Sequence, residues 1–110
     1  MRELTDETLE EVAGRFKVLA EPTRLRILRA LQPGERTVGE LVEALDTSQA
    51  NVSKHLGILR RHRMVTRRKE GPKRVYRVAD ESIFRLCDLV CGRLEEEVRE
   101  RHRALEDEGA

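Results

Sequence analysis

Thr37-Val38-Gly39-Glu40-Leu41-Val42-Glu43-Ala44-Leu45-Asp46-Thr47-Ser48-Gln49-Ala50-Asn51-Val52-Ser53-Lys54-His55-Leu56-Gly57-Ile58-Leu59 decides the fold. Thr37 and Glu40 are spaced as a capping box: the hydroxyl can accept the amide three residues on while the carboxylate reaches back. A short helix follows with Leu41, Val42 and Leu45 inward. Asp46-Thr47-Ser48 is too short and polar for anything but a turn, and Ser48 is a good cap for a second helix. That helix turns Val52, Leu56 and Leu59 inward and ends near Arg63. Two short helices joined so tightly read as a helix-turn-helix over residues 37–63.

Residues 64–78 come next. Met64 to Lys69 and Arg74 to Val78 hold β-favouring Val65, Thr66, Val75, Tyr76 and Val78, and flank Glu70-Gly71-Pro72-Lys73. The Gly-Pro centre breaks any helix, so the segment reads as a two-stranded hairpin with a basic tip, the wing of a winged helix-turn-helix. Upstream, Leu9, Val12, Ala13, Phe16, Leu19 and Ala20 recur at helical spacing behind the cap Thr5. Pro22 interrupts, and Leu25, Ile27, Leu28 and Leu31 resume the pattern until Pro33-Gly34. Downstream, Asp80 to about Glu106 is a long helix with Ile83, Leu86, Cys87, Val90, Cys91, Leu94, Val98 and Leu105 along one side. The fold class expected is mainly α with a small β-hairpin, in one winged-helix domain over 1–110. A half-exposed stripe on the first and last helices, 1–20 and 80–106, marks an association surface and a homodimer. The acidic tail, 107–110, is expected to fray.

The net charge of +1 over 110 residues hides a segregation. Lys54 to Arg77 carries ten Lys/Arg against Glu70 alone, or +9, which leaves −8 for the rest. A one-signed basic block in an otherwise acidic small chain is the footprint of a polyanion-binding surface. Every stretch free of charge is far below the roughly 20 apolar residues of a membrane span. The N-terminus lacks the basic-then-apolar order of an export signal, so the cytoplasm is the expected location and Cys87 and Cys91 are expected to be reduced. A thiol enzyme finds no support: there is no Gly-rich phosphate loop or oxyanion motif, and the two cysteines sit on an apolar stripe.

Phe16-Lys17-Val18-Leu19-Ala20-Glu21-Pro22-Thr23-Arg24-Leu25-Arg26-Ile27-Leu28 strongly resembles the second-helix signature of the ArsR/SmtB family of bacterial winged-helix repressors. The similarity continues through Thr37 to Leu41, Ser48 to Leu56 and Val75-Tyr76, covering roughly residues 9 to 80. The resemblance implies a dimer built on the first and last helices, a fourth helix in the major groove, and a repressor that leaves its operator when an inducer binds.

Base contacts come from the N-terminal half of a recognition helix, where a phosphate is also favoured by free amides. Ser48, Gln49, Asn51, Ser53, Lys54 and His55 are the candidates there. Gln and Asn suit adenine and Ser suits several base edges. Lys54, Arg60 and Arg61, with Arg68, Lys69, Lys73 and Arg74 on the wing, suit phosphates, and Lys73 or Arg74 could enter a minor groove. For Gln49 and Asn51 plain helix-start polarity stays open, and for His55 a packed ring beside Leu56 does. Two recognition helices about 34–36 Å apart call for a pseudo-palindromic double-stranded DNA operator.

The family's soft-metal sensors carry Cys-Val-Cys where this chain has Thr37-Val38-Gly39, and its zinc sensors carry Asp-x-His where this chain has Asp88-Leu89-Val90. Neither pattern is met, and no cofactor is required. What remains is Cys87 and Cys91, one helical turn apart on one face, where a soft metal, metalloid or reactive sulfur effector could act. The alternative is that both cysteines only pack, as small hydrophobes on the stripe.

Overall fold

The structure, a computed structural model, describes residues 2–109; Met1 and Ala110, the outer ends of the expected 1–20 segment and 107–110 tail, lie outside them. The chain divides into two compact units, Met1–Ala79 and Asp80–Ala110.

The first unit begins with α1 (Asp6–Leu19), capped as expected by Thr5, whose hydroxyl accepts the Thr8 amide at 3.1 Å. Val18 is its buried residue, and Leu9 and Phe16 stay exposed. Helix α2 (Pro22–Leu31) starts on proline, whose missing N–H is harmless in the first turn. The Glu21 carboxylate caps it by accepting the Arg24 amide at 3.1 Å. Ile27, Leu28 and Leu31 are buried, while Leu25 points outward.

Strand β1 (Arg36–Thr37) precedes α3 (Val38–Leu45) and α4 (Gln49–Arg61). Both arms of the capping box form: the Glu40 amide donates to Thr37 Oγ1 at 3.2 Å, and the Thr37 amide to Glu40 Oε1 at 3.0 Å. Asp46 takes a left-handed conformation, φ 52°, to close α3, and Ser48 Oγ accepts the Asn51 amide at 3.1 Å to open α4. Helix α4 ends in a Schellman arrangement, with the Met64 amide donating to the Leu59 carbonyl and the Arg63 amide to the Arg60 carbonyl. Its left-handed position, normally glycine, is Arg63 at φ 59°.

The wing is β2 (Val65–Glu70) and β3 (Lys73–Val78), antiparallel from Val65↔Val78 to Glu70↔Lys73. The strands run one residue further into the tip than the sequence suggests, leaving a two-residue Gly71-Pro72 loop. Gly71 supplies the positive φ, 60°, that such tight hairpins require. The sheet has three strands, ordered β1-β3-β2, with Arg36↔Tyr76 and Thr37↔Val75 in register. A two-residue strand is too short to show alternation, so the sequence reveals Thr37 only in its capping role.

Ile27, Leu41, Val52, Leu56 and Leu59 are fully buried, joined by Leu28 and Val65 at 2% exposure or less. Each such side chain contributes roughly 1.5–3 kcal/mol on leaving water. Together they seat α2, α3 and α4 on the base of the wing.

The second unit is α5 (Ser82–Gly109), opened by Asp80, whose Oδ1 accepts the Ser82 amide at 2.9 Å. It continues three residues past the expected end at 106, supported by i,i+4 pairs Arg93–Glu97 and Glu95–Arg99. The tail residues 107–109 are therefore helical. Leu89, Val90, Leu94 and Leu105 are all more than half exposed. No helix among the described residues is long and apolar enough to cross a membrane.

Candidate nucleic-acid interface

A cleft of about 510 Å³ lies between the N-terminus of α3, one side of α4 and the wing. The α4 wall is Gln49, Ser53, Gly57 and Arg60, a stripe of successive turns. The opposite wall is Arg67, Arg74 and Tyr76, with Pro72 and Lys73 at the tip. Strand alternation explains this wall: Arg67↔Tyr76 and Lys69↔Arg74 are cross-strand partners on one face of the sheet. That face carries only cations and the Tyr76 ring among its tip-side residues, and a Cβ added at Gly57 would meet nothing within 4 Å, so the cleft floor is open.

The other face behaves differently. Arg68 donates to Glu35 Oε2 at 2.7 Å and to Glu70 Oε2 at 2.9 Å, and its hydrogen bond holds the Glu35 carboxyl below the usual range. Arg68, expected among the phosphate contacts, thus has its charge matched by two carboxylates on the sheet face opposite the cleft. Arg67, absent from the expected set, lines the cleft. The signal was available in the sequence: counting by twos back from Lys69 selects Arg67 and excludes Arg68.

At the N-cap of α4 and along the helix, Ser48, Gln49, Ser53, Lys54, Arg60 and Arg61 are exposed, as the sequence reading requires. Asn51 is half-buried and its amide donates to Thr47 Oγ1 at 3.1 Å, so the side chain braces the turn. His55 is a correction. It is 7% exposed, and its Nδ1 lies 3.2 Å from Arg24 Nη1 and 3.8 Å from Glu21 Oε2. Burial pushes its pKa below the usual value, Glu21 opposes this, and the Arg24 and Lys54 charges reinforce it. The ring lies in the interior, where the packed alternative puts it.

The Helix-turn-helix domain family (HTH_20) matches residues 19–68, from the end of α1 into β2. The chain is 37% identical over 93 residues to the HTH-type transcriptional regulator Rv0081 of Mycobacterium tuberculosis, covering 84% of this chain and 82% of that one. It is 37% identical over 87 residues to the transcriptional repressor SmtB homolog of Synechocystis, covering 79% and 66%. The chain belongs to the ArsR/SmtB family of transcriptional regulators. Among solved relatives, the crystal structure of Rv0081 matches with TM-score 0.77 at 33% identity, covering 88% of this chain and 98% of that one. The homodimeric winged helix-turn-helix DNA-binding domain of Mb0332 from Mycobacterium bovis, described as a possible ArsR-family transcriptional regulator, matches with TM-score 0.77 at 33% identity, covering 91% and 95%.

Membership in the ArsR/SmtB family makes α3 and α4 the helix-turn-helix of a regulator rather than part of an enzyme. On α5, Cys91 is exposed and Cys87 half-buried. Burial pushes the Cys87 thiol up, with Cys91 and Asp88 adding to the effect. Among the described residues of this ArsR/SmtB chain, no group of three or more His, Cys, Asp or Glu side chains is placed to hold a metal ion.

Proposed function

We propose that this chain is a transcriptional repressor that acts as a homodimer on double-stranded operator DNA, reading bases with α4 and gripping phosphates with the wing. The observation that carries the reading is the cleft between the α4 stripe and the cationic wing face. Gln49 and Ser53 can bond base edges, while Arg60, Arg67, Lys73 and Arg74 are phosphate-binding types on both sides of the same groove. Two copies about a two-fold axis would match a pseudo-palindromic site with half-sites about 34–36 Å apart. The repressor named in Synechocystis and the homodimeric state of the Mycobacterium bovis domain support this reading. Selection from random duplexes followed by titration at increasing salt tests it. Four cations per protomer predict a loss of roughly 10³–10⁵ in affinity between 50 and 200 mM salt, and a flat response rejects the reading.

The finer reading is release by a thiol-reactive inducer at Cys87 and Cys91. Exposure favours Cys91 as the thiol that a soft metal, metalloid or reactive sulfur species meets first. Any metal would need donors from a second copy as well, since one chain's described residues supply too few. The raised Cys87 thiol favours the competing reading, in which the cysteines only pack. Operator binding by wild type and by the double variant Cys87→Ser, Cys91→Ser, with Zn(II), Cu(I), As(III) and a persulfide donor, separates the two. Equal responses of both proteins to every effector leave only the packing role.

A further inference from the structure

The polar cluster beneath α4 has no part in the DNA contacts described above. Arg24 is its centre. Its backbone amide closes the α2 cap on Glu21, its Nε donates to the Val18 carbonyl at 2.6 Å, and its Nη1 meets His55 Nδ1 at 3.2 Å. The Val18 carbonyl belongs to the last turn of α1, where carbonyls lack helical partners and a cation is favourable. One side chain of α2 therefore ties α1 to α4.

A guanidinium only donates, so His55 Nδ1 must be the acceptor and the ring proton must sit on Nε2. Glu21 Oε2, at 3.8 Å, is beyond hydrogen-bond range of the ring and already accepts the Arg24 amide. Arg24 thus fixes the tautomer of His55, while burial is the main cause that favours its neutral form.

We propose that Arg24 is a positioning residue for operator binding: by forking between the end of α1 and His55 it fixes the rotation of α4 that presents Gln49 and Ser53. The inference rests on α4 being the DNA-reading helix. His55 lies beside Val52, Leu56 and Leu59, whose apolar contacts are non-directional and by themselves permit small rotations and slides. The Arg24–His55 hydrogen bond supplies a directional contact on this buried side, and base readout fails when side chains drift by more than about 0.5 Å.

The test combines ¹⁵N spectroscopy of the histidine rings in the free protein with operator titrations of Arg24→Met, His55→Leu and His55→Gln. The expected result is an unprotonated Nδ1 and a protonated Nε2 for His55 in wild type, with the Nδ1 resonance shifted in Arg24→Met, where that nitrogen loses its donor. Operator affinity should fall about tenfold in Arg24→Met and His55→Leu, and less than about threefold in His55→Gln, whose side-chain oxygen can still accept from Arg24. A protonated Nδ1 in wild type overturns the proposal, as does wild-type affinity in folded Arg24→Met and His55→Leu. Should Arg24→Met fail to fold, equal affinities of the Leu and Gln variants overturn it. Wild type that binds no selected duplex refutes the operator reading itself, and with it the positioning role, while the ring spectra still decide whether the Arg24–His55 bond exists.

Discussion

Gln49 and Asn51 stand two residues apart at the start of α4 and face different fates. Gln49 is exposed in the cleft, whereas Asn51 is half-buried with its amide on Thr47. Gln49→Ala should therefore weaken operator binding by about 1–3 kcal/mol and relax specificity at one base position. Asn51→Ala should instead lower thermal stability, by about 0.5–1.5 kcal/mol for the missing bond, with base preference kept. Selection from random duplexes and thermal melts of the two variants decide between these outcomes; relaxed specificity in Asn51→Ala would show that the side chain leaves Thr47 to read DNA. Adjacent wing arginines make a second contrast. Arg67→Ala should reduce the slope of log affinity against log salt by about 1 for each phosphate left without its cation. Arg68→Ala should change it less, because Arg68 is already bonded to Glu35 and Glu70. Equal slopes for the two variants would mean that those carboxylates release Arg68 when DNA arrives.

Elements were more legible in the sequence than side-chain partners. The Thr37–Glu40 box, the Thr5 and Ser48 caps, the Pro22 break and the Gly71-Pro72 turn all act between residues at most three apart, and all of them form. The partners of His55, Arg24 and Glu35 escape a reading of spacing because they lie 31 and 33 residues away. The C-terminus of α4 shows the same limit on a local scale. The sequence places the end of the helix near Arg63 without any glycine to mark the stop, and the structure forces Arg63 into the left-handed region to complete the Schellman bonds. A non-glycine residue there costs roughly 1–2 kcal/mol. Arg63→Gly should accordingly raise stability in urea unfolding by up to about 1 kcal/mol, part of the gain being offset by the greater freedom of glycine in the unfolded chain. A loss of stability would mean that the Arg63 side chain makes a contact worth more than the backbone strain.

At the scale of the whole molecule, the charge of +1 resolves into a division of labour. The +9 block from Lys54 to Arg77 occupies α4 and the wing, and the −8 remainder is spread over the rest of the chain, where α1, α3 and α5 are net acidic and α2 is net basic. An acidic excess outside α4 and the wing discourages wrong-way binding to a polyanion. The apolar exposure is divided as well, falling on Phe16 of α1 and on Leu89, Val90, Leu94 and Leu105 of α5 at 51–76%. A small chain that leaves such side chains in water is a candidate for burying them against a second copy. If it does, its melting temperature should rise with protein concentration, because association stabilises only the folded form. Leu94→Glu would place a charge in that stripe and leave every residue that lines the cleft unchanged. It should convert the protein to a monomer in analytical ultracentrifugation and weaken binding to a two-half-site operator far more than to a single half-site, since the linked second half-site multiplies affinity only while the dimer holds. A Leu94→Glu protein that stays dimeric would place the interface elsewhere on the chain.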